Sequence, residues 1–280
     1  MKIFEPALGD MVASGMEFYG PTSFKKYLDE HGFEQAGAWQ YVSVDSLDRL
    51  SEDLRDAGVM VFRLGSRPGV VGTHFGLAKY SRGWGDYFLI DKDLLSIATQ
   101  EFFVPCIPIR QRLAFQLLPK LTETSLVNFA VGTGLLSRVL RIEDGCDLII
   151  PATGHSSFTF TISPRPAMRQ LWDHLKGQVE IDALFAGKRD GKDCLFLVEA
   201  KRGRPSGTLA KHKLCYPLAA LLNEVPESMQ VIPVYLKTWS ERDGQHFLIS
   251  ECAYKNVNPV IISELEVLSV YHVVLDELSK

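Results

Sequence analysis

Two apolar runs separated by a turn constrain the fold of this chain more than any other feature. The runs VEIDALF (179–185) and CLFLVEAK (194–201) are rich in apolar residues, and GKRDGKD between them is typical of a turn. A solvated hairpin would alternate apolar and polar residues, whereas LFLV is continuous. The sequence therefore predicts a buried β-hairpin that belongs to a larger sheet.

The predicted hairpin carries charged side chains among its apolar residues. Because side chains alternate between the faces of a strand, Glu180 and Asp182 share one face, and Glu199 and Lys201 share a face of the second strand. A buried carboxylate without a partner costs several kcal/mol. A divalent cation removes that cost, and Mg²⁺ prefers oxygen ligands from one or two carboxylates. We therefore expect a metal site here, with Lys201 beside it to orient an attacking water or to stabilise charge on a phosphate.

Length and composition set the broad class. A chain of 280 residues with 46% hydrophobic residues can form one large domain or two ordinary ones. The N-terminus lacks a basic and apolar leader and no apolar run could span a bilayer, so we expect a cytoplasmic protein without membrane contact. The net charge of −4 means that nucleic-acid binding would need local basic patches or metal ions. The cysteines are odd in number and include no C-x-x-C pair, which argues against both a disulfide framework and a structural zinc site; they are Cys106, Cys146, Cys194, Cys215 and Cys252.

The order of the patterns predicts two regions. Residues 1–110 mix two helical patterns, TSFKKYLDEHGF and SLDRLSEDLRDAG, with the strand-like runs VMVFRLG, HFGLAKY and DYFLID, which predicts a small α/β region. Residues 111–280 hold a helical stripe in TETSLVNFAVGTGLLSRVL and the strand-like runs DLIIP, FTFTIS, VEIDALF, CLFLVEAK, QVIPVYLKT and HFLISECAY. The last two of these runs predict a hairpin. Further helices are predicted around RPAMRQLWDHL, TLAKHKLCYPLAALLNEV and ISELEVLSVYHVVLDEL.

Asp182, followed on the next strand by Val198-Glu199-Ala200-Lys201, resembles the D…(D/E)-x-K signature of the PD-(D/E)XK, or restriction-endonuclease-like, nuclease superfamily. The resemblance covers about the second half of the chain. It implies an α/β fold with a restriction-endonuclease-like core, a central mixed β-sheet flanked by helices, preceded here by the smaller α/β N-terminal region. Two departures occur: Ile181 stands where the name of the superfamily has proline, and basic residues replace the glutamine found on the next helix in many relatives.

The resemblance also implies an activity and roles for residues. It implies a Mg²⁺-dependent endonuclease that hydrolyses double-stranded DNA to 5′-phosphate and 3′-hydroxyl ends, most similar to a type II restriction enzyme, with Mn²⁺ as an expected substitute ion. Asp182 and Glu199 would hold the metal together with the main-chain carbonyl of Ala200, and Lys201 would position the water. Glu123, at the start of a predicted helix, and Glu180 would complete the outer shell or hold a second ion.

Basic residues follow the signature directly. The segment KRGRPSGTLAKHK, with Arg202, Arg204, Lys211 and Lys213, is expected either to neutralise DNA phosphates or to form a solvated loop and helix face.

The N-terminal region would contribute specificity or assembly. A homodimer is expected because two-fold-related sites most simply cut both strands, and a DNA methyltransferase encoded nearby is the expected partner of a restriction enzyme. The alternatives are a repair or mobile-element nuclease and a non-catalytic DNA-binding protein that keeps the fold.

Overall fold

A computed structural model describes residues 2–34, 37–118, 120–143, 149–166, 171–255 and 257–275. Its α-helices are α1 (Glu5–Ser14), α2 (Phe24–Glu30), α3 (Ala38–Val42), α4 (Glu52–Ala57), α5 (Asp91–Ile97), α6 (Ile109–Leu117), α7 (Glu123–Gly132), α8 (Leu135–Val139) and α9 (His212–Leu221). None of these helices has the length and apolar character needed to cross a membrane. Cys146 and the start of the run DLIIP lie outside the described residues.

The strands follow the same chain order. They are β1 (Phe18–Ser23), β2 (Val59–Arg63), β3 (His74–Lys79), β4 (Phe88–Ile90), β5 (Thr99–Phe102), β6 (Ala152–Ser163), β7 (Trp172–Arg189), β8 (Lys192–Arg202), β9 (Thr208–Ala210), β10 (Gln230–Glu241), β11 (Gly244–Tyr254), β12 (Val260–Ile261) and β13 (Leu265–Leu275). Short 3₁₀ turns occur at Leu47–Arg49, Trp84–Asp86 and Ile262–Glu264.

A large mixed sheet forms the centre of the molecule. Within the described ranges its strand order is β12-β6-β7-β8-β10-β11-β13-β5. The predicted hairpins β7–β8 and β10–β11 are both present and antiparallel. The central pair β8 and β10 is parallel, so the chain crosses over between them, and β9 and α9 lie in that crossover. The α/β class with a mixed sheet and flanking helices is confirmed.

Helices cover both faces of the sheet, and this fixes where the charged side chains point. On β8, Phe196 and Val198 pack in one core with Val127 of α7, whereas Leu197 packs in the core that contains Cys215 and Tyr216 of α9. Strand alternation therefore directs Glu199 and Lys201 to the face of α9. Because β8 is paired on both sides and covered on both faces, its run LFLV is continuous rather than alternating.

The N-terminal region packs on the same face of the sheet as α9. It contains a three-stranded antiparallel sheet in the order β1-β3-β2. Its core continues without interruption into Trp172 of β7 and Tyr216 of α9. The main chain joins the regions as well, since Ser66 N donates to Leu175 O at 2.7 Å and Leu175 N donates to Leu64 O at 3.1 Å. The division at residue 110 stays a prediction, and the two segments share packed side chains.

Three predicted helices differ from the structure. The run predicted as a closing helix is the strand β13, which lies between β11 and β5. Its valines are favoured in a strand that is paired on both sides. Helical spacing within one segment does not reveal that the segment pairs with the distant strands β11 and β5. The predicted helix RPAMRQLWDHL gives way to β7 from Trp172, with residues 167–170 outside the description. The helical stripe from residue 122 breaks into α7 and α8 because Gly134 adopts a φ of +78°.

Gly76 gives a test of the contact between the two regions. A Cβ atom at this position would lie 2.8 Å from the fully buried ring of Trp172, so Gly76→Ala should lower the free energy of unfolding by about 1–3 kcal/mol. Gly132→Ala is the matched control because nothing lies within 4 Å of its added Cβ. Urea unfolding measures both variants. Equal stabilities would contradict the close packing of β3 on Trp172.

Candidate active site

Charged side chains from three elements meet near the carboxyl end of β8. The Nζ atom of Lys201 lies 2.8 Å from Glu199 Oε1 and 3.7 Å from Oε2 of Glu123, the first residue of α7. Asp182 of β7 accepts a hydrogen bond from the main-chain nitrogen of Ala200 through Oδ2 at 2.8 Å. The structure thus brings together the predicted residues Glu123, Asp182, Glu199, Ala200 and Lys201.

The start of α7 is fixed to the end of β8. Thr122 caps the helix by accepting a hydrogen bond from Ser125 N at 3.1 Å. Glu123 Oε1 accepts from the main-chain nitrogen of Arg202 at 2.8 Å, and its other oxygen faces Lys201. The helix-borne acid is therefore held by backbone contacts rather than by an exposed ion pair alone.

Burial and charge oppose each other within this cluster. Glu199 is only 3% exposed, and burial raises the pKa of its carboxyl group, while the ammonium groups of Lys213 and Lys201 act in the opposite direction. Burial also disfavours the charge on Lys201, but Glu199, Glu123 and Asp182 together raise its pKa above the ordinary value. Lys213 Nζ lies 3.5 Å from Glu199 Oε1. The net effect is a raised pKa for Glu199, because burial outweighs the two lysines that favour its charged form.

The donor atoms fit a hard divalent cation. Lys201 Nζ donates to the main-chain oxygen of Ala200 at 3.0 Å and also touches Glu199 Oε1, so a cationic group already lies among these oxygens. Together with the carboxylate of Asp182 they are the oxygen ligands that Mg²⁺ takes from proteins. Asp182, Glu199 and the carbonyl of Ala200 could thus hold a metal ion.

The other predicted acid and the two arginines are exposed at the surface. Glu180 is exposed on β7 and pairs in register with His155 of β6. Arg202 is exposed, and its Nη1 donates to Leu121 O at 3.4 Å. Arg204 is exposed in the loop after β8. These positions leave the two arginines free to approach a ligand at the surface.

The two lysines near the start of α9 differ from each other. Lys213 joins the cluster through Glu199. Lys211 is buried and lies apart from the cluster, because its Nζ donates to the main-chain oxygen of Leu265 at 3.2 Å. Burial lowers the pKa of Lys211 to about 8. Its predicted contact with DNA stays a prediction.

A buried polar network next to the cluster escaped the sequence analysis. Asp91 is fully buried; its Oδ1 accepts from Tyr235 Oη at 2.8 Å, and its Oδ2 lies 3.3 Å from Lys237 Nζ. Gly207 N also donates to Oδ2, at 3.1 Å, which fixes the loop that follows β8. Tyr235 and Lys237 pair in register with Glu199 and Lys201. The sequence signal that could have revealed this network is Lys237, a lysine at the end of the apolar run QVIPVYLK, just as Lys201 follows an apolar run in β8.

A cavity of about 260 Å³ opens beside the cluster. Its wall includes Lys213 and Glu180 together with the buried histidines His174 and His212. Burial lowers the pKa of His174 to about 4 and that of His212 to about 3, so both rings are neutral at pH 7.

A second group of ligand-type atoms lies at the turn between β10 and β11. Glu241, Asp243 and His246 bring their atoms within 4.8 Å of one another. His246 is already held by Asp243 at 2.8 Å and by His272 at 2.9 Å. Exposed acidic groups often meet without an ion, and we assign no metal to this group.

The fold and the cluster define a mixed α/β protein with a buried carboxylate–lysine site at the end of a central strand. Residues 100–269 match the family described as "Domain of unknown function (DUF6997)", and the chain belongs to that family. No curated protein and no solved structure matches the chain. The whole cluster, from Glu123 to Lys213, lies within the matched range.

The neutral histidines make a prediction about pH. Because His174 has a lowered pKa only when folded, the unfolded chain takes up a proton between about pH 6.5 and 4 that the folded chain does not, and stability falls as the pH drops through that window. His174→Phe keeps the ring stacked on Phe160 and removes this titration. Relative to the parent, the variant should gain about 2–3 kcal/mol between pH 7 and pH 4, measured by urea unfolding. If the difference in free energy of unfolding between the variant and the parent did not change with pH, the lowered pKa of His174 would be contradicted.

Proposed function

We propose that the protein is a divalent-metal-dependent DNA endonuclease of the PD-(D/E)XK superfamily. The observation that carries the proposal is the cluster in which Lys201 contacts both Glu199 and Glu123 while Asp182 accepts a hydrogen bond from the main-chain nitrogen of Ala200. These residues come from a helix start and two adjacent strands, in the order of the signature. A restriction-endonuclease-like core is part of the proposal. It is supported by the hairpin β7–β8 and by the crossover through α9 to the parallel strand β10.

The residues suit hydrolysis of a phosphodiester. When bound at Asp182, Glu199 and the carbonyl of Ala200, Mg²⁺ or Mn²⁺ supplies Lewis acidity toward a phosphate oxygen. Lys201 is held within reach of both Glu199 and Glu123, so its ammonium group can orient the attacking water and stabilise charge that develops on the phosphate. Lys213 provides a second positive charge next to the same oxygen of Glu199.

The particular activity that we propose is sequence-specific cleavage of double-stranded DNA by a homodimer, as in type II restriction. The N-terminal region adds loops beside the cluster, and loops on a rigid scaffold can read bases. The metal site itself would contact only the scissile phosphate and carries no sequence information.

Plasmid nicking tests the nuclease activity. Purified protein should nick supercoiled plasmid with Mg²⁺ and not with EDTA. Asp182→Asn, Glu199→Gln and Lys201→Met should each lower the rate at least about 100-fold, because they remove groups needed in the transition state. Binding of DNA in Ca²⁺ should persist for Lys201→Met.

Two exposed residues on the same hairpin supply matched controls. Asp193→Asn and Lys192→Met make the same chemical changes away from the cluster and should retain full activity. Cleavage that survives in Asp182→Asn or Glu199→Gln would refute the proposed metal ligands.

Long phage DNA tests sequence specificity. With Mg²⁺ the protein should produce a discrete and reproducible set of bands, and methylation by a partner enzyme should block them. Loops that contact base edges select sites, whereas phosphate contacts alone do not. A smear, or nicking confined to branched or damaged DNA, would instead assign the protein to repair and leave Asp182, Glu199 and Lys201 in their roles.

A further inference from the structure

The cavity beside the cluster lies between the N-terminal region and the large sheet. One wall comes from Val42 to Arg49 and from Arg63 at the end of β2, and the other comes from β7 and the start of α9. Lys213 of α9 belongs to the second wall, and its Nζ atom lies 3.5 Å from Oε1 of Glu199 in the candidate active site. A group that occupies the cavity would therefore lie next to the scissile phosphate of a bound substrate.

Arg63 lines the cavity, and no ion pair with a carboxylate is found for it among the described residues. Its Nη1 donates to Ser43 Oγ at 3.3 Å. Asp45, an acid of the same wall, lies 3.5 Å from Arg49. Glu180 lines the cavity as well but is exposed. A half-buried guanidinium in a concave site favours a phosphate, which it can bind with two parallel hydrogen bonds.

The rest of the lining offers neutral hydrogen-bonding groups. His174 and His212 are 1% and 8% exposed, and the Nδ1 atom of each has no hydrogen-bond partner within the described part of the chain. Both rings lie against Tyr216, with centroids 5.0 and 5.1 Å away. A neutral imidazole offers one donor and one acceptor. A phosphate alone would not need such groups, whereas the edge of a base presents donors and acceptors that match them.

We propose that the cavity receives one nucleotide of the cleaved strand, turned out of the duplex, with its phosphate at Arg63 and its base toward His174, His212 and Tyr216. This inference rests on the proposed nuclease function. A volume of about 260 Å³ suits a single small group and excludes a duplex. Enzymes that extrude a base hold it in a close-fitting pocket and read it by hydrogen bonds and stacking. The pocket would make the nucleotide beside the cleavage point a determinant of specificity.

Fluorescence of 2-aminopurine tests the inference, because this base brightens when it leaves the stack. Duplexes carry it at successive positions around the mapped cleavage site, and Ca²⁺ replaces Mg²⁺ so that DNA is bound without being cut. One position should brighten on binding. In Arg63→Ala the brightening should be lost and affinity should fall about tenfold, because a charged contact to phosphate is removed.

Two further variants separate charge from shape. Arg67→Ala removes the same charge from an exposed position in the loop after β2 and should leave the fluorescence unchanged. Ser43→Trp keeps Arg63 and fills the cavity, so it should also abolish the brightening. Circular dichroism and urea unfolding confirm that each variant is folded.

The outcomes distinguish this inference from the nuclease proposal. Nicking that depends on Asp182, without brightening at any position, overturns the extruded nucleotide alone. Equal effects of Arg63→Ala and Arg67→Ala overturn it too. Free deoxynucleoside monophosphates could instead stabilise the protein against heat in an Arg63-dependent way, again without brightening in DNA. That result would show that the cavity binds a free nucleotide, and it would overturn the inference that the nucleotide belongs to bound DNA. Absence of both nicking and DNA binding overturns the nuclease proposal together with the inference.

Discussion

The buried carboxylate of Glu199 is the constraint on which the rest of the site depends. It lies on a strand that is paired on both sides, and only 3% of the residue is exposed. An uncompensated charge there would cost several kcal/mol. The compensation comes from Lys201 on the same strand and from Lys213 on α9. Helix α9 must therefore begin close to the end of β8. The crossover from β8 to β10 contains α9 and places its first turn there.

The N-terminal region completes the site because it packs on the face toward which Glu199 points. Its core runs into Trp172 and Tyr216, and the main chain of Leu64 and Ser66 bonds to β7. These contacts hold Arg63 and the segment before α4 opposite the start of α9. The packing leaves a cavity between the two regions, and the N-terminal region supplies one of its walls.

The sequence predicted the part of the site that local alternation determines. The hairpin β7–β8 and the shared faces of Glu199 and Lys201 follow from a period of two, and the structure has both. It did not separate Lys211 from Lys213, because that depends on how α9 begins against its neighbours. It missed the contact of Asp91 with Tyr235, which are 144 residues apart and meet only through the sheet. It also assigned a helix to β13, whose partners β11 and β5 are remote in sequence.

Charge balance suggests how a metal ion and a phosphate substrate would depend on each other. Asp182, Glu199 and Glu123 face two ammonium groups, so the cluster alone keeps one negative charge when all five groups are ionised. A divalent cation among the carboxylates would make the same cluster positive. A site that repels phosphate without the ion and attracts it with the ion binds the two ligands cooperatively, because the bound cation becomes the largest local charge. Lys213 contacts Glu199 and lines the cavity together with Arg63, so positively charged side chains continue from the cluster to the cavity in which we propose that a nucleotide binds.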